Sequence, residues 1–175
     1  MTTQVPYAMM DSSVAAAIVA GNVKLSGDVV QVVYAENVAM STTTTLIPND
    51  DTIPQITEGY EVVTATITPK SAANNIKIEA LINVSPSVSG GIAIAFFQDA
   101  IANALAAGFT ACYAGTTPMQ VLLTKVVSAG STTARTYRTR VGMVGAGTLT
   151  VNGAAAARYF GGVMVSSMTL TELQP

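Results

Sequence analysis

The sequence has no histidine, no tryptophan, a single cysteine, and only eight basic and ten acidic residues in a chain of 175. A typical globular chain is about 25% charged, so charge is scarce here by more than twofold. Without histidine, the base that usually activates a serine or cysteine nucleophile is missing. One cysteine, Cys112, allows neither an intrachain disulfide framework nor the Cys/His sets of zinc sites. We therefore predict a non-enzymatic protein with no catalytic residues, no cofactor and no metal.

Long apolar runs and basic clusters are also scarce. The longest uncharged run, residues 100–124, is broken by two glycines and a proline, so it falls short of the ~20 apolar residues that a spanning helix needs. No basic segment precedes the apolar residues 12–23, as a signal peptide would require. The net charge is −2, whereas nucleic-acid binders present a basic face. The sequence predicts neither a membrane nor a nucleic-acid partner.

What the sequence does contain is apolar residues, which make up 50% of the chain. The mean hydropathy is +0.47. A soluble chain of this kind has little charged surface with which to remain monomeric. Because large exposed apolar patches usually mark interfaces, we expect an oligomer or a component of a lattice.

Alternation of apolar and polar residues dominates the chain from about residue 57 and predicts half-buried strands. In residues 60–68 and 75–84 every second side chain is apolar. In residues 91–97 both faces are apolar, so this strand should be covered on both sides. Further strands are predicted at residues 119–127, 132–141, 148–151 and 163–173, with turn residues between them. The fold class is predicted as all-β, an antiparallel β-sandwich or jelly roll.

Two segments do not follow this pattern. Residues 99–107 have a helical composition, and they form either a short helix or a loop that crosses the sheet. Residues 1–46 are predicted as an extended N-terminal arm that precedes a sandwich domain at 47–175. Residues 28–38 read as a strand that either packs against a neighbouring subunit or completes the main sandwich. The candidate interface residues in this strand are Val29, Val30, Val32, Val33 and Tyr34.

Acidic residues offer the one catalytic option that has to be weighed. Asp50, Asp51, Glu58 and Glu61 form the densest acidic set, and glycoside hydrolysis needs two carboxylates. Asp50 and Asp51 could equally begin a calcium site, which needs six to eight oxygen ligands. The favoured interpretation is a turn, because Asx side chains cap local amides in such a Pro-Asn-Asp-Asp-Thr sequence.

Three arginines cluster at Arg135, Arg138 and Arg140. Their spacing favours solvated strand positions or ion-pair partners between subunits. The more specific alternative is that these arginines bind a glycan or another anion.

Short motifs at both ends of the predicted domain resemble segments of tailed-bacteriophage virion proteins. They are residues 47–55 (IPNDDTIPQ), 58–59 (EG) and 67–71 (ITPKS), and then 152–153 (NG), 158–162 (RYFGG) and 166–172 (SSMTLTE). The family has a β-sandwich, often trimeric, in tail fibres and other particle-surface proteins, and no well-defined catalytic residues. The resemblance therefore implies a homotrimer on the virion surface, assembled in the host cytoplasm. Met164, Met168 and Leu170, on one face of the last strand, are candidates for core or three-fold contacts.

Two virion roles compete. A fibre needs reach, but about 45 residues precede the predicted domain, they span at most ~150 Å, and they contain no heptad repeat. A short arm and a compact knob favour a capsid decoration (cement) protein, whose partner is the major capsid protein or another virion protein. The alternative is a short tail fibre that contacts a host surface glycan.

Overall fold

The described part of the chain is built from β-strands joined by turns and loops. The computed structural model describes residues 25–175, and the regular structure in this part consists of twelve strands and a 3₁₀ turn at Phe160–Gly162. The strands are β1 (Val29–Asn37), β2 (Ser41–Thr43), β3 (Tyr60–Ile67), β4 (Asn75–Pro86), β5 (Gly90–Gln98), β6 (Ala106–Cys112), β7 (Met119–Ser128), β8 (Arg135–Met143), β9 (Leu149–Val151), β10 (Gly153–Ala154), β11 (Ala157–Arg158) and β12 (Ser166–Leu173).

Two antiparallel sheets form a sandwich. In the first sheet, β4 lies between β7 on one side and β12 and β9 on the other, where these two strands follow each other end to end. β1 pairs with β12 and β2 with β9, so together they form the outer edge. The second sheet has the order β3-β8-β5-β6. The predicted all-β antiparallel sandwich of the jelly-roll type is confirmed.

Side chains that alternate along the strands fill the space between the sheets. On β4, Ile76, Ile78 and Ile82 are fully buried, whereas Lys77 and Glu79 point to the outer face. The same period of two along β3, β5, β8 and β12 completes one continuous core. The side-chain directions predicted for β3 and β4 are confirmed. Burying this apolar set is the main favourable term for the fold.

The outer face of β5 is buried as well, as the sequence predicts. Phe97 and two alanines of this face pack with Ile47 into a second, smaller cluster. The segment before β3 crosses over the second sheet, and the Ile47 N–H donates to the Met143 carbonyl oxygen at 3.0 Å. A Cβ at Gly142 would come within 2.8 Å of the Thr45 carbonyl oxygen. Glycine is therefore required at the crossing point, because the two backbones are too close for a side chain.

β1 completes the first sheet within its own chain. It pairs with β12 from Val29 opposite Leu173 to Asn37 opposite Ser166. This arrangement is the second of the two alternatives for residues 28–38, in which the strand closes the sandwich. The sheet therefore already contains residues on the N-terminal side of the boundary drawn between 46 and 47. Residues 1–24 of the predicted arm lie outside the described residues.

Two parts of the chain differ from the sequence prediction. Residues 99–105 form the loop of a hairpin between the paired strands β5 and β6, so they are neither a helix nor a loop that crosses the sheet. The sequence of β6, AAGFTAC, carries little strand signal because small residues outnumber β-branched ones. At the end of the chain, residues 163–165 precede β12 and do not belong to it. Gly161 and Gly162 have φ of 63° and 97° and turn the chain just before this point.

Tyr137 is the largest fully buried side chain, and its hydroxyl has no hydrogen-bond partner among the described residues. Burial raises the pKa of this phenol, so the group stays neutral. A buried, unpaired hydroxyl is destabilising, and we expect Tyr137→Phe to raise the free energy of unfolding by about 1 kcal/mol. Urea denaturation monitored by circular dichroism measures the change. Tyr113→Phe, at a 93% exposed position, is the control and should change nothing. A loss of stability in Tyr137→Phe would contradict the prediction.

Candidate interaction surface

The acidic residues considered for catalysis have separate structural roles. The Asp50 carboxylate accepts hydrogen bonds from the Thr52 N–H at 2.9 Å and the Thr52 hydroxyl at 2.5 Å, and these bonds lower the pKa of Asp50. This geometry confirms the turn. The Glu58 carboxylate accepts from the Gln55 N–H at 2.9 Å. Within residues 25–175, no group of three or more His, Cys, Asp or Glu residues is placed to hold a metal ion.

The three arginines of β8 hold loops of their own chain. Arg140 donates to the carbonyl oxygens of Glu58 at 2.7 Å and Gly59 at 2.9 Å. Arg138 donates to the Asp99 carbonyl oxygen at 2.7 Å, and both arginines lie 3.3 Å from the Glu61 carboxylate. These contacts make the pair positioning residues for the crossing segment before β3 and for the loop between β5 and β6. They leave the guanidinium groups partly buried and already engaged.

The outer face of the first sheet carries two groups of apolar side chains, one on β1 and one on β4 and β7. We define the first-sheet face by Val32 and Tyr34 of β1, Leu81 of β4, and Leu122 and Val126 of β7. Strand pairing brings them into register, with Leu81 opposite Leu122. Between them lie threonines of β12 and one ion pair, Lys77–Glu79 at 2.8 Å. Leu122 is 66% exposed, so the face is solvated in the single chain.

The predicted interface residues of β1 separate into two groups. Val29, Val32 and Tyr34 are exposed on the outer side. Val30 is half-buried at the irregularity in the pairing between residues 29 and 31, and Val33 points inward and packs against the core. The first group is available to a partner, and the second belongs to the sandwich.

The candidates at the end of the chain require a correction. Met168 and Leu170 are fully buried between the sheets of one chain, so they are core residues and cannot contact a partner. Met164 is half-buried and lies before the observed strand β12, so it does not share a strand face with Met168 and Leu170 as predicted. The reason is the register of β12, which aligns Met168 with Ala80 and Leu170 with Ile78 on the inner face of β4.

An excursion between β9 and β12 is the second exposed apolar feature, and we call residues 153–165 the Phe160 loop. Phe160 is 74% exposed and Val163 is 76% exposed. The backbone φ is positive at Ala155 (51°), Ala156 (57°) and Phe160 (49°). A non-glycine residue in this left-handed region costs roughly 1–2 kcal/mol. The chain thus holds an aromatic side chain in water on a strained backbone, an arrangement typical of functional sites.

A depression on the opposite sheet is the third feature. It lies between the crossing segment and β6, has a volume of about 250 Å³ and is mainly apolar. We call it the Ile47 pocket, and its lining includes Ile47, Pro48, Pro54, Ala93, Ala107 and Phe109. An adjoining depression of about 350 Å³ shares Asp50 with it and adds Asp51. The sequence motif at residues 47–55 marks one wall, but the opposite wall comes from β6, which carried no strand signal.

No helix within residues 25–175 combines the length and apolar character needed to cross a membrane.

The fold and these surfaces define a charge-poor β-sandwich whose distinctive features are apolar and exposed. The sequence profile of the Pgp3 C-terminal domain matches residues 44–175, and the chain belongs to this family. The match covers nearly the same residues as the phage-like motifs, but the family is described by Pgp3 and not as a bacteriophage virion module. No curated protein matches the chain significantly.

The solved structures to which the chain is similar come from different sources. Eiger TNF from S. frugiperda has 10% sequence identity and a TM-score of 0.45, covering 81% of this chain and 92% of that one. Latent PorU from Porphyromonas gingivalis has 10% identity and a TM-score of 0.34, covering 86% of this chain and 14% of PorU. The tailspike protein 4 of bacteriophage CBA120 has 15% identity and a TM-score of 0.26, covering 71% and 19% respectively.

Proposed function

We propose that this chain is a non-enzymatic structural protein that works as a homotrimer on the surface of a tailed-bacteriophage particle, where it decorates and stabilises the capsid. The first-sheet face carries the proposal. Its apolar side chains span three strands around a single ion pair, and they are solvated unless a neighbouring protein covers them. Exposed apolar groups of this kind, bordered by polar residues, mark protein interaction sites.

The polar groups support a structural role. The carboxylates at Asp50, Glu58 and Glu61 and the guanidinium groups of Arg138 and Arg140 hold loops within the chain. Asp50 and Asp51 both line one depression, but the Asp50 carboxylate already accepts two hydrogen bonds from Thr52 within its turn. The charged residues therefore stabilise the scaffold, and the apolar surfaces are left for partners.

The proposed phage particle and the proposed homotrimer are inferred from the sequence motifs. The segment at residues 47–55 forms the crossing that lines the Ile47 pocket, and the RYFGG motif at residues 158–162 forms the tip of the Phe160 loop. The phage-like motifs thus coincide with exposed elements of this chain and not only with its core. This coincidence supports a role in assembly contacts.

Two measurements test the proposal. The purified protein should sediment as a species of three times the 17.9 kDa chain mass at micromolar concentration. It should also co-sediment with emptied, expanded capsids of the phage that encodes it and raise their melting temperature. A monomer without affinity for capsids would overturn the proposal. Binding to host cells would favour the short tail fibre, and release of reducing sugar would restore an enzymatic role.

A charge on the first-sheet face provides the matched variant. Leu122→Lys places an ammonium group among the apolar side chains at a position that is 66% exposed, so the fold should be retained. We expect capsid binding to fall by at least about tenfold, since hot-spot truncations at interfaces commonly cost this much. Val88→Lys, at an exposed loop position outside this face, is the control and should bind as the unaltered protein does.

A further inference from the structure

The Phe160 loop and the Ile47 pocket have complementary surfaces. Phe160 is 74% exposed, so it does not occupy the pocket of its own chain. An apolar cavity of about 150 Å³ is large enough to bind benzene, and the pocket, at about 250 Å³, has room for a phenyl ring. The loop leaves the first sheet, whereas the pocket lies over the second. The loop of one copy can therefore occupy the pocket of a different copy of the chain.

The charges beside the two features are also complementary. Arg158 is exposed and makes no ion pair within the described residues. Its guanidinium group lies against Gly162: the Nη1 atom is 3.1 Å from the position that a Cβ on this glycine would occupy. Asp50 lies at the rim of the Ile47 pocket, and Asp51 lies in the adjoining depression. A cation two residues before Phe160 on one surface thus corresponds to two anions beside an apolar pocket on the other.

We propose that the Phe160 loop of one copy inserts into the Ile47 pocket of the next copy, with Arg158 facing the acidic rim. The partner is a second copy of this chain, so the inference rests on the proposed homotrimer and identifies its contact. Each copy contributes a loop on one side and a pocket on the other, which makes the interface heterologous. Heterologous contacts generate a closed ring when the rotation between copies closes, and three copies related in this way give a cyclic trimer.

Removal of either partner tests the contact. Phe160→Ser deletes the ring, and Ala107→Trp fills the pocket from an exposed position on β6. Both changes should raise the dissociation constant of the trimer, measured by sedimentation equilibrium, by at least about tenfold. Tyr113→Ser removes another exposed aromatic ring and Ala111→Trp adds the same indole further along β6. These controls should leave the trimer intact.

Charge reversal separates recognition from damage to the fold. Arg158→Glu and Asp51→Arg should each weaken the trimer by roughly fivefold. Asp51, in the adjoining depression, is the better choice, because the Asp50 carboxylate is already engaged by Thr52. The double variant should recover most of the affinity, since the opposite charges face each other again. If both single variants weaken the trimer and the double variant does not recover the affinity, the pairing of Arg158 with Asp51 is overturned.

Mixing distinguishes this contact from a symmetric one. Phe160→Ser protein keeps its pocket and Ala107→Trp protein keeps its loop, so a mixture should form one intact contact and give a heterodimer. If both variants alone form trimers as the unaltered protein does, the inference is overturned while the trimer stands. If the unaltered protein is a monomer, both the inference and the proposed function fail.

Discussion

Replacing Glu172 by Gln is expected to lower the free energy of unfolding by about 3 kcal/mol. Each hydrogen bond to a buried charged group contributes roughly 1.5–3 kcal/mol, and the donors that lose their acceptor remain buried and unpaired. Glu172 is fully buried on the inner face of β12. No basic side chain pairs with it among the described residues. Neutral N–H groups bind the carboxylate instead.

Four donors surround this carboxylate. Its Oε1 accepts from the Asn74 side chain at 2.6 Å, the Lys70 N–H at 2.8 Å and the Ser71 N–H at 3.3 Å. Its Oε2 accepts from the Gln31 side chain at 2.6 Å. A glutamine at this position can present an oxygen to only one of the two sets, so its amide N–H₂ must face another donor. The substitution therefore breaks either the bond to Gln31 on β1 or the bonds to the loop before β4.

The same network predicts how stability depends on pH. Burial alone raises the pKa of Glu172, but the hydrogen bonds from Asn74, Gln31, Lys70 and Ser71 outweigh it and lower the pKa. A lowered pKa in the folded state means that the stabilisation is complete above the unfolded pKa of about 4.3. It is lost as the pH falls through the lower, folded-state pKa. Denaturation curves between pH 7 and pH 3 should show this loss.

The control for Glu172 is Glu79→Gln. Glu79 forms an ion pair with Lys77 on the outer face, where both side chains are more than one third exposed, and such pairs contribute at most about 1 kcal/mol. We expect a much smaller change in stability for this variant. The loss of stability at low pH should remain in Glu79→Gln and should become much smaller in Glu172→Gln. Equal changes in the two variants would contradict the role of the buried carboxylate.

The sequence was sufficient to predict the inner and outer faces of those strands whose two faces differ in polarity. In β3 and β4 one face is apolar and the other is polar, so the inner face could be assigned without any knowledge of the partner strands. β1 is different because Val29, Val30, Val32 and Val33 lie on both faces. Only its register with β12, which the sequence does not specify, decides that Val33 points inward and Val32 outward.

The candidate surfaces depend on long-range pairing to a greater extent. The period of two places Met168, Leu170 and Glu172 on one face, and the presence of a glutamate there was a usable signal for a buried carboxylate. The Ile47 pocket had no comparable signal on its second wall, since β6 is rich in alanine and glycine. Its position follows from the pairing of β6 with β5, which composition does not predict.

A second large effect is expected at Asn152, where the chain leaves the first sheet to form the Phe160 loop. Its side chain is fully buried. The amide nitrogen donates to the carbonyl oxygens of Asn37 at 2.8 Å and Ala39 at 3.2 Å, and the amide oxygen accepts from the Ser166 hydroxyl at 2.7 Å. One residue therefore joins the edge strand, the start of β12 and the base of the loop.

Asn83 completes this junction from β4. Its carbonyl oxygen accepts from the Asn152 N–H at 3.0 Å, and its N–H donates to the Ser166 hydroxyl at 3.0 Å. These bonds bridge the gap in the ladder between the end of β9 and the start of β12. The loop can then leave the sheet and return to the same strand position without exposing the polar backbone groups at its base, which would be costly if left unpaired.

We expect Asn152→Ala to lower the free energy of unfolding by about 3 kcal/mol, from the lost side-chain hydrogen bonds and from a φ of 53° that alanine tolerates poorly. Asn152→Gly relieves the backbone part and should be about 1 kcal/mol less destabilising. Urea denaturation measures both changes, and hydrogen exchange should show lost protection at β2 and β9. If alanine and glycine both cost less than about 1 kcal/mol, the junction does not hold the loop, and the geometry that presents Phe160 must be maintained by the loop itself.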